Sequence, residues 1–463
     1  MLFLEELKKI SGDNVLTKKE ELIPYLRDAS YFEGQFPEAA VLPKSAIEIS
    51  RIMELCNQYK VPVTVRGGGS SLTGSSVPSR GGLVISMARM NRILETTMSN
   101  NYAIAEAGVT LDDFNSHLSK FGFMYPPDPA SSMVATIGGT ISTNAGGLRA
   151  AMYGSTKEWI LGLELVLPTG EIVEIGGRTL KRTKGYDLTA LIVGSEGTLG
   201  IVTKAVLKIW PIPETTARVM AYFKNIRTAG DAISELRSKG VTLYIAEFMD
   251  RLCLDSILKT KGLEYPPDAQ CLLIVDIAST RESVDRQLEL VGKVIKSYDP
   301  LKLVITRDSE EMQRIYEARK GLYSTSLSLR EKPEDYVIIA DIVVPPSNLP
   351  DALVEVQRAV ENSGLKVSIF GHIGDGNVHA NILVDIRDQE QLRKANDFQA
   401  QLGKIALSHG GSVSAEHGIG LEKKQLILEE FRERKSEFAV DLMKRIKDAF
   451  DPNHILNGGK IFD

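Results

Sequence analysis

The sequence has few cysteines, no long apolar run and no excess of positive charge. Its three cysteines lie far apart in 463 residues and form no CxxC pair, which argues against a disulfide framework and a cysteine-based zinc site. No apolar stretch reaches the roughly 18 residues that a membrane-spanning helix needs. A net charge of −5 without a long basic run gives no electrostatic footprint for nucleic acid. These absences predict a cytoplasmic protein with no transmembrane segment and no nucleic-acid partner.

Two common nucleotide-binding motifs are missing as well. The glycine-rich loop after the strand VPVTV contains no GxGxxG, and no Gly-Lys-Ser/Thr occurs in the chain. ATP or NAD bound in those two ways is therefore not expected. The opening residues MLFLEELKKI carry two Glu and two Lys, so they predict an amphipathic helix rather than a secretion signal.

The remaining composition is that of a globular protein, with 43% hydrophobic and 25% charged residues. The length suggests two or three domains. Pro211-Ile-Pro213 interrupts the chain after the strand-like run IVTKAVLKIW, and recurring strand–helix–strand units follow it. These patterns predict an α+β fold whose second domain has a sheet backed by helices on one face. The predicted domains are 1–213, 214–417 and a C-terminal helical segment, 418–463, which returns to the first domain.

Glycine is concentrated in the first half of the chain. More than half of the 39 glycines lie between residues 66 and 200, beginning with the loop RGGGSSLTG. Consecutive glycines leave backbone N–H groups uncovered, and such groups form nests that bind anions such as a pyrophosphate. An ordinary glycine-rich turn explains this loop equally well when it is taken alone.

Histidine is concentrated in the second half, where four of the six histidines lie between residues 372 and 417. IFGHIGDGNVHANILV predicts a hairpin, because Asp-Gly is a strong turn signal, and its strands would bring His372 and His379 together. SAEHGIG adds Glu416 and His417. Two His and one carboxylate leave open positions on a divalent metal, as a catalytic site requires. Neighbours on an extended segment point in opposite directions, so one of Glu416 and His417 is expected to remain available for acid–base chemistry.

Four glycine-containing segments follow one another along the chain: RGGGSSLTG, PPDPASSMVATIGGTISTNAGG, Tyr153-Gly154 and VGSEGTLGIVT. Together they resemble the FAD-binding domain of the vanillyl-alcohol oxidase / p-cresol methylhydroxylase family. The resemblance is to the branch that holds D-lactate dehydrogenase, D-2-hydroxyglutarate dehydrogenase and the flavin subunit of glycolate oxidase. It implies a two-part FAD-binding domain followed by an α+β substrate (cap) domain with an antiparallel sheet.

The resemblance also implies which residues contact FAD. They come from these segments and from the C-terminal tail: Arg66, Gly67, Gly68, Gly69, Ser70, Ser71, Gly74, Pro127, Asp128, Thr136, Gly138, Gly139, Thr143, Asn144, Gly146, Gly147, Tyr153, Gly154, Glu196, Gly197, Gly200, Ile201 and Asn457. Some relatives attach FAD covalently through His or Cys. The corresponding loops here contain neither, and Ser70 stands where the His would be, so non-covalent FAD is expected.

In the second half, HxGDGNxH…EHG is similar to the metal-dependent members of the same branch. The resemblance implies that His372, His379 and Glu416 hold a divalent metal, with Zn²⁺ favoured and Mn²⁺ or Fe²⁺ as alternatives. It implies His417 as the catalytic base and Arg319 as the catalytic-site residue that binds the substrate's 1-carboxylate. Asn381, Asn377 and Tyr323 are the further residues expected at the substrate.

The implied activity is oxidation of a D-2-hydroxy acid to the 2-oxo acid with FAD. Ile339 occupies the position where the 2-hydroxyglutarate enzyme has a lysine for a second carboxylate, so a D-lactate-like monocarboxylate is favoured. Three alternatives remain at this point: the flavin subunit of a multi-subunit glycolate oxidase, a non-redox enzyme like alkylglycerone-phosphate synthase, and a metallohydrolase with a purely structural glycine-rich half. The redox acceptor (quinone, cytochrome, electron-transfer flavoprotein or partner subunit) cannot be read from the sequence. Exposed sheet edges favour a homodimer, and attachment to the inner face of a membrane is an alternative to a free cytoplasmic protein.

Overall fold

The computed structural model describes residues 2–332 and 334–462. The chain divides into two compact units. The first contains Met1–Gly146, Ser155–Ile212 and Glu416–Asp463, and the second contains Gly147–Gly154 and Pro213–Ala415. Residues 147–154, which the sequence assigns to the first domain, pack with the second unit.

Strands and helices are interspersed along the described chain. The strands are β1 (Val15–Leu16), β2 (Ala39–Val41), β3 (Val63–Arg66), β4 (Leu83–Ser86), β5 (Ile93–Thr97), β6 (Tyr102–Glu106), β7 (Phe123–Met124), β8 (Ile160–Val166), β9 (Ile172–Gly176), β10 (Ile201–Lys208), β11 (Trp210–Pro211), β12 (Thr215–Phe223), β13 (Ile245–Asp250), β14 (Cys271–Ser279), β15 (Lys302–Thr306), β16 (Asp335–Val343), β17 (Lys366–Gly371) and β18 (Asn377–Asp385).

The helices vary from single turns to five turns. The α-helices are α1 (Leu2–Ser11), α2 (Lys19–Leu22), α3 (Ala46–Tyr59), α4 (Leu111–Ser119), α5 (Ile137–Thr143), α6 (Ala150–Tyr153), α7 (Leu188–Ile192), α8 (Ile226–Ser238), α9 (Arg251–Lys261), α10 (Arg281–Lys296), α11 (Ser309–Lys320), α12 (Leu322–Ser326), α13 (Leu349–Ser363), α14 (Gln389–Ser408), α15 (Lys424–Glu433) and α16 (Phe438–Phe450). Short 3₁₀ turns cover Gly12–Asn14, Ile23–Tyr25, Met87–Arg89, Met98–Asn100, Thr156–Trp159 and Leu327–Leu329.

The first unit is built on two main sheets. The four-stranded sheet has the order β1-β2-β4-β3, with β2, β4 and β3 parallel and β1 antiparallel. Helix α3 crosses from β2 to β3, and the Ser45 hydroxyl caps it by accepting a hydrogen bond from the backbone N–H of Glu48. The five-stranded sheet is antiparallel in the order β5-β6-β10-β8-β9. Buried residues alternate along much of β10, as expected for a sheet with one face towards the core.

The second unit contains one seven-stranded antiparallel sheet, in the order β15-β12-β14-β13-β17-β18-β16. The predicted α+β class and the antiparallel sheet are confirmed. The prediction of helices on one face only is wrong, because consecutive residues of β12 and β14 are buried on both faces. Helices α9, α11 and α12 supply apolar side chains to one of these faces, where Ile315 and Leu322 pack with Phe370.

The C-terminal tail is fastened to the first unit by backbone and side-chain contacts. Leu456 forms a parallel bridge with Val63 at the start of β3, and the N–H of Asn457 donates to the Val63 carbonyl. The Lys447 ammonium donates to the carbonyls of Thr198 and Leu456. These contacts place Asn457 beside the loops that follow β3 and α7. Within residues 2–332 and 334–462, no helix has both the length and the apolar composition needed to cross a membrane.

Candidate functional site

The glycine-rich loop after β3 packs closely on the segment before α5. A Cβ atom at Gly68 would lie 1.8 Å from the Val134 carbonyl oxygen, so no side chain fits there. In the described chain, the backbone N–H groups of Gly68, Gly69, Ser70 and Ser71 donate no hydrogen bond to protein. Uncovered N–H groups in consecutive loop residues form the type of nest that binds a phosphate oxygen. This arrangement agrees with the role predicted for the loop from its glycines.

The next part of the first unit is the start of helix α5. The Thr136 side chain caps the helix by accepting from the backbone N–H of Gly139, and a Cβ at Gly138 would meet the Ala107 side chain at 2.7 Å. The loop after α7 rests on this helix, because the N–H of Glu196 donates to the Ser142 carbonyl. Two predicted cofactor segments are therefore in direct contact.

Glu196 is a buried carboxylate that ties three segments of the first unit together. Its side chain accepts hydrogen bonds from the Ser75 hydroxyl at 2.6 Å and from the backbone N–H groups of Ile419 and Gly420 at 2.7 and 2.8 Å. Burial raises the pKa of Glu196, and these hydrogen bonds oppose that effect. Glu196 therefore fixes the position of the backbone just after His417.

Asn457 joins two of the same segments from the C-terminal tail. Its side-chain amide donates to the carbonyl oxygens of Ser75 at 3.2 Å and Glu196 at 2.6 Å. The side-chain oxygen of Asn457 is buried and makes no hydrogen bond within the described residues. Buried polar atoms are nearly always satisfied, so this oxygen marks a place where a ligand donor would be accommodated.

We expect Asn457→Gly to weaken FAD retention by about tenfold or more, because two buried carbonyls lose their donor. Glycine keeps the positive φ of 47° that this position requires. Asn101→Gly is the matched control, since Asn101 has a φ of 51° in a loop outside these contacts. The check is the ratio of flavin to protein absorbance after gel filtration. Equal FAD content in wild type and the Asn457 variant would remove Asn457 from the cofactor site.

The other predicted cofactor residues fall into two groups. Pro127 and Asp128 are buried in the first unit, and Gly197, Gly200 and Ile201 follow Glu196 there. Gly147, Tyr153 and Gly154 belong instead to the second unit. The Tyr153 ring packs edge-on against Tyr244 at 6.0 Å, and burial raises the pKa of Tyr153 to about 12.

In the second unit the predicted hairpin forms, with β17 and β18 as its strands. The turn requires glycine at Gly376, where φ is +89° and a Cβ would lie 1.9 Å from the Val344 carbonyl. The imidazole rings of His372 and His379 lie 5.2 Å apart and are perpendicular. Both side chains are buried. The hairpin therefore brings the two predicted metal-ligating histidines together.

A residue that sequence reasoning missed, Glu247, lies beside them. Its carboxylate is 2.6 Å from Nδ1 of His372 and 2.5 Å from Nη2 of Arg319. The strand IAEFMD contains two acids, of which Asp250 caps helix α9, whereas Glu247 lies in the middle of the buried strand, where an unpaired carboxylate would be costly. An acid in the middle of an otherwise apolar strand is the sequence signal that could have identified Glu247.

Arg319 occupies the last turn of α11 and is 3% exposed. Its guanidinium stacks over the Phe370 ring at 4.8 Å. Neither Nε nor Nη2 makes a hydrogen bond of good geometry within the described residues, although Glu247 lies close to Nη2. A buried guanidinium with two such donors is suited to bidentate binding of a carboxylate.

Asp341 organises the neighbouring part of the sheet. One carboxylate oxygen accepts from the Asn377 amide at 2.9 Å and lies 3.5 Å from Nδ1 of His379. The other accepts from the Ser414 hydroxyl and, at 3.0 Å, from the backbone N–H of Ala415. Asn377 thus supports a carboxylate beside His379, and Asp341 fixes the segment that immediately precedes Glu416 in the chain.

Asn381 lies two residues beyond His379 on the same face of β18. Its amide donates to the Ser326 hydroxyl at 2.9 Å, while its side-chain oxygen is buried without a hydrogen bond in the described chain. Ile339 is its partner across the strand pair. Tyr323 is partly exposed on α12, beyond Gly321, at which α11 ends.

Glu416 and His417 begin the last stretch of the first unit. The predicted opposite orientation of their side chains is wrong, because residues 415–417 form a bend rather than an extended segment. Their side chains approach to 3.8 Å between Nε2 of His417 and a carboxylate oxygen of Glu416. The Thr73 hydroxyl donates to the His417 carbonyl, and the backbone beyond is held by Glu196.

Comparison with known proteins places this arrangement in a family. The family model of the FAD linked oxidases, C-terminal domain, matches residues 212–461, and that of the FAD binding domain matches residues 37–176. The chain belongs to the FAD-linked oxidases. This FAD-linked oxidase is 36% identical to the glycolate oxidase subunit GlcD of Bacillus subtilis, over 99% of this chain and 96% of the relative. It is 30% identical to a D-lactate dehydrogenase of Anaerostipes hadrus, again over 99% of this chain and 96% of the relative.

A solved structure of p-cresol methylhydroxylase shares the fold of this FAD-linked oxidase. The TM-score is 0.80 at 19% identity, and the match covers all of this chain and 96% of the other. The predicted FAD-binding fold of the vanillyl-alcohol oxidase / p-cresol methylhydroxylase type is confirmed. The first unit fits the cofactor, because it offers uncovered N–H groups at Gly68–Ser71 and a buried acceptor on Asn457. The metallohydrolase alternative, in which the glycine-rich half is purely structural, is not supported.

Proposed function

We propose that the protein oxidises a D-2-hydroxy acid to the 2-oxo acid, with D-lactate-like monocarboxylates favoured. Arg319 is the observation that carries the proposal, because its buried donors lie in the same unit as His372 and His379. A carboxylate anchor beside two imidazoles suits a substrate that carries a carboxylate next to an alcohol. The sequence similarity to a D-lactate dehydrogenase and to a glycolate oxidase subunit supports this chemistry.

In the proposed reaction Arg319 binds the substrate carboxylate through two parallel N–H···O hydrogen bonds. His417 accepts the proton of the 2-hydroxyl, and a neutral imidazole suits this role near pH 7. FAD, bound non-covalently, supplies the chemistry that takes the C2 hydrogen with its two electrons. An external acceptor then receives those electrons.

His372 and His379, with Glu416, are the proposed ligands of a divalent metal that lowers the pKa of the substrate hydroxyl. Two observations support the histidines. Their rings lie 5.2 Å apart, and each has a carboxylate near Nδ1, Glu247 for His372 and Asp341 for His379. Carboxylates that orient histidine in this way are typical of metal sites. His₂-carboxylate suits Zn²⁺, and Mn²⁺ or Fe²⁺ are alternatives.

Ile339 supports a substrate with a single carboxylate. It is buried and pairs with Asn381 across β16 and β18. The resemblance to the 2-hydroxyglutarate enzyme implies that Ile339 stands where that enzyme has a lysine for a second carboxylate. A charged group facing Ile339 would lose hydration without gaining a partner. Asn381 offers a neutral acceptor there, and Tyr323 is the remaining proposed substrate residue.

The proposal is tested by turnover of the purified protein with the artificial acceptor dichloroindophenol. D-lactate is expected to be oxidised faster than L-lactate and faster than D-2-hydroxyglutarate. Glycolate is the second candidate substrate, because the relative in Bacillus subtilis is a glycolate oxidase subunit. Faster turnover of glycolate would favour the role of a flavin subunit that works with partners. Absence of acceptor reduction with all four acids would contradict the proposal and favour non-redox chemistry.

Removal of divalent metal with a chelator should lower D-lactate turnover by about 10²-fold or more, while the flavin stays bound. Adding back Zn²⁺, Mn²⁺ or Fe²⁺ separately should restore activity and identify the metal. The measurement pairs turnover with elemental analysis and the visible flavin spectrum. Full activity in protein shown to be metal-free would refute the metal role.

A further inference from the structure

Glu247 contacts two groups that the proposed function uses for different tasks. It lies on β13 and is 1% exposed. One of its carboxylate oxygens is 2.6 Å from Nδ1 of His372, and the other is 2.5 Å from Nη2 of Arg319. A single buried carboxylate therefore contacts both a proposed metal ligand, His372, and the proposed substrate-binding residue, Arg319.

The contact with His372 favours one of the two tautomers of a neutral imidazole. A carboxylate can only accept, so Nδ1 must carry the hydrogen and the lone pair is on Nε2. The contact with Arg319 acts differently. Glu247 and the Phe370 ring, 4.8 Å from the guanidinium, hold that group from two sides. Nε and Nη2 still lack hydrogen bonds of good geometry within the described chain.

A second buried ion pair in the same sheet has a different geometry. Arg218 on β12 binds both oxygens of Asp276 on β14, at 2.6 and 2.7 Å, and donates to the Met312 carbonyl at 2.6 Å. Both carboxylate oxygens of Asp276 accept hydrogen bonds from the same guanidinium, that of Arg218. Glu247 divides its two oxygens between different residues.

We propose that Glu247 is a positioning residue, which sets the tautomer of His372 and the orientation of Arg319 with one carboxylate. The inference rests on the proposed function for the tasks of His372 and Arg319. The contacts themselves lie within the second unit.

The first test uses the wild-type flavoprotein, labelled with ¹⁵N in its six histidines and treated with chelator. Nitrogen chemical shifts assigned with a His372→Gln variant report which ring nitrogen carries the hydrogen. The expected result is hydrogen on Nδ1 of His372. Hydrogen on Nε2 in the wild type would overturn the inference, whether or not D-lactate is a substrate.

The second test compares Glu247→Gln with Asp276→Asn, its matched control in the same sheet. Glu247→Gln is expected to give a mixture of His372 tautomers, and Zn²⁺ binding weaker by about 10- to 100-fold by calorimetry. It should also raise the KM for D-lactate more than it lowers kcat. Asp276→Asn is expected to lower Tm while leaving the tautomer and the Zn²⁺ affinity unchanged.

The outcomes separate the inference from the proposed function. Glu247→Gln that keeps the wild-type tautomer and Zn²⁺ affinity, in protein with a normal flavin spectrum, overturns the positioning role. Wild-type protein that has the expected tautomer and does not oxidise D-lactate supports the positioning of His372 and contradicts the proposed substrate. If Glu247→Gln does not fold, the wild-type tautomer measurement decides the inference by itself.

Discussion

Substitution of His417 by alanine should leave FAD bound and lower D-lactate turnover by about 10²- to 10⁴-fold, the usual contribution of a general base. The side chain would no longer accept the hydroxyl proton. Cofactor binding should persist, because Glu196 holds the neighbouring backbone through the N–H groups of Ile419 and Gly420, which alanine at 417 does not alter. The measurement is steady-state turnover together with the visible flavin spectrum.

His409→Ala is the matched control for that experiment. His409 lies at the end of α14, with its ring 3.2 Å from a carboxylate oxygen of Glu355, and the proposed reaction does not use it. Its loss should leave turnover near the wild-type value. Near-normal turnover in His417→Ala would contradict the assignment of the base, whereas loss of FAD would give His417 a structural role instead.

Replacement of Arg319 by lysine should lower kcat/KM for D-lactate by about 10- to 10²-fold, mainly through a higher KM. Lysine keeps a positive charge beside the buried Glu247 carboxylate, so the fold is not left with an unpaired charge. It cannot offer two parallel N–H donors to the substrate carboxylate, and a hydrogen bond to a charged group contributes about 1.5–3 kcal/mol. The measurement is the separate determination of kcat and KM.

Arg218→Lys is the control, because Arg218 is equally buried and its donors already bind Asp276 and the Met312 carbonyl. This variant should lose stability, seen as a lower Tm, with little change in KM. Equal KM values for wild type and Arg319→Lys would remove Arg319 from the substrate site. Equal increases in KM in the two lysine variants would indicate that both arginines act through the fold.

The sequence predicted well the features that depend on local pattern. The Asp-Gly turn between apolar strands placed His372 and His379 on one hairpin, since turn chemistry and strand alternation are local. The glycines of the loop after β3 belong to the same class. The α+β fold followed from alternating strands and helices, although helices cover both faces of the second sheet rather than one.

Contacts between distant parts of the chain could not be read in this way. Glu247 meets His372 across 125 positions of sequence, and strand order is set by packing of the whole sheet. At the start of the bend at residues 415–417, the N–H of Ala415 donates to Asp341, which lies 74 positions earlier in the sequence. Without that long-range contact the segment reads as extended, and the relation between Glu416 and His417 is misjudged.

The most direct test of the proposed function is an anaerobic visible spectrum of the purified protein, recorded before and after D-lactate and, separately, L-lactate. The oxidised flavin bands are expected to bleach with D-lactate and to persist with L-lactate. Because the reductive half-reaction needs no external acceptor, the result is independent of any partner protein. Flavin bands that remain unchanged with both isomers, or that bleach with L-lactate alone, would contradict the account.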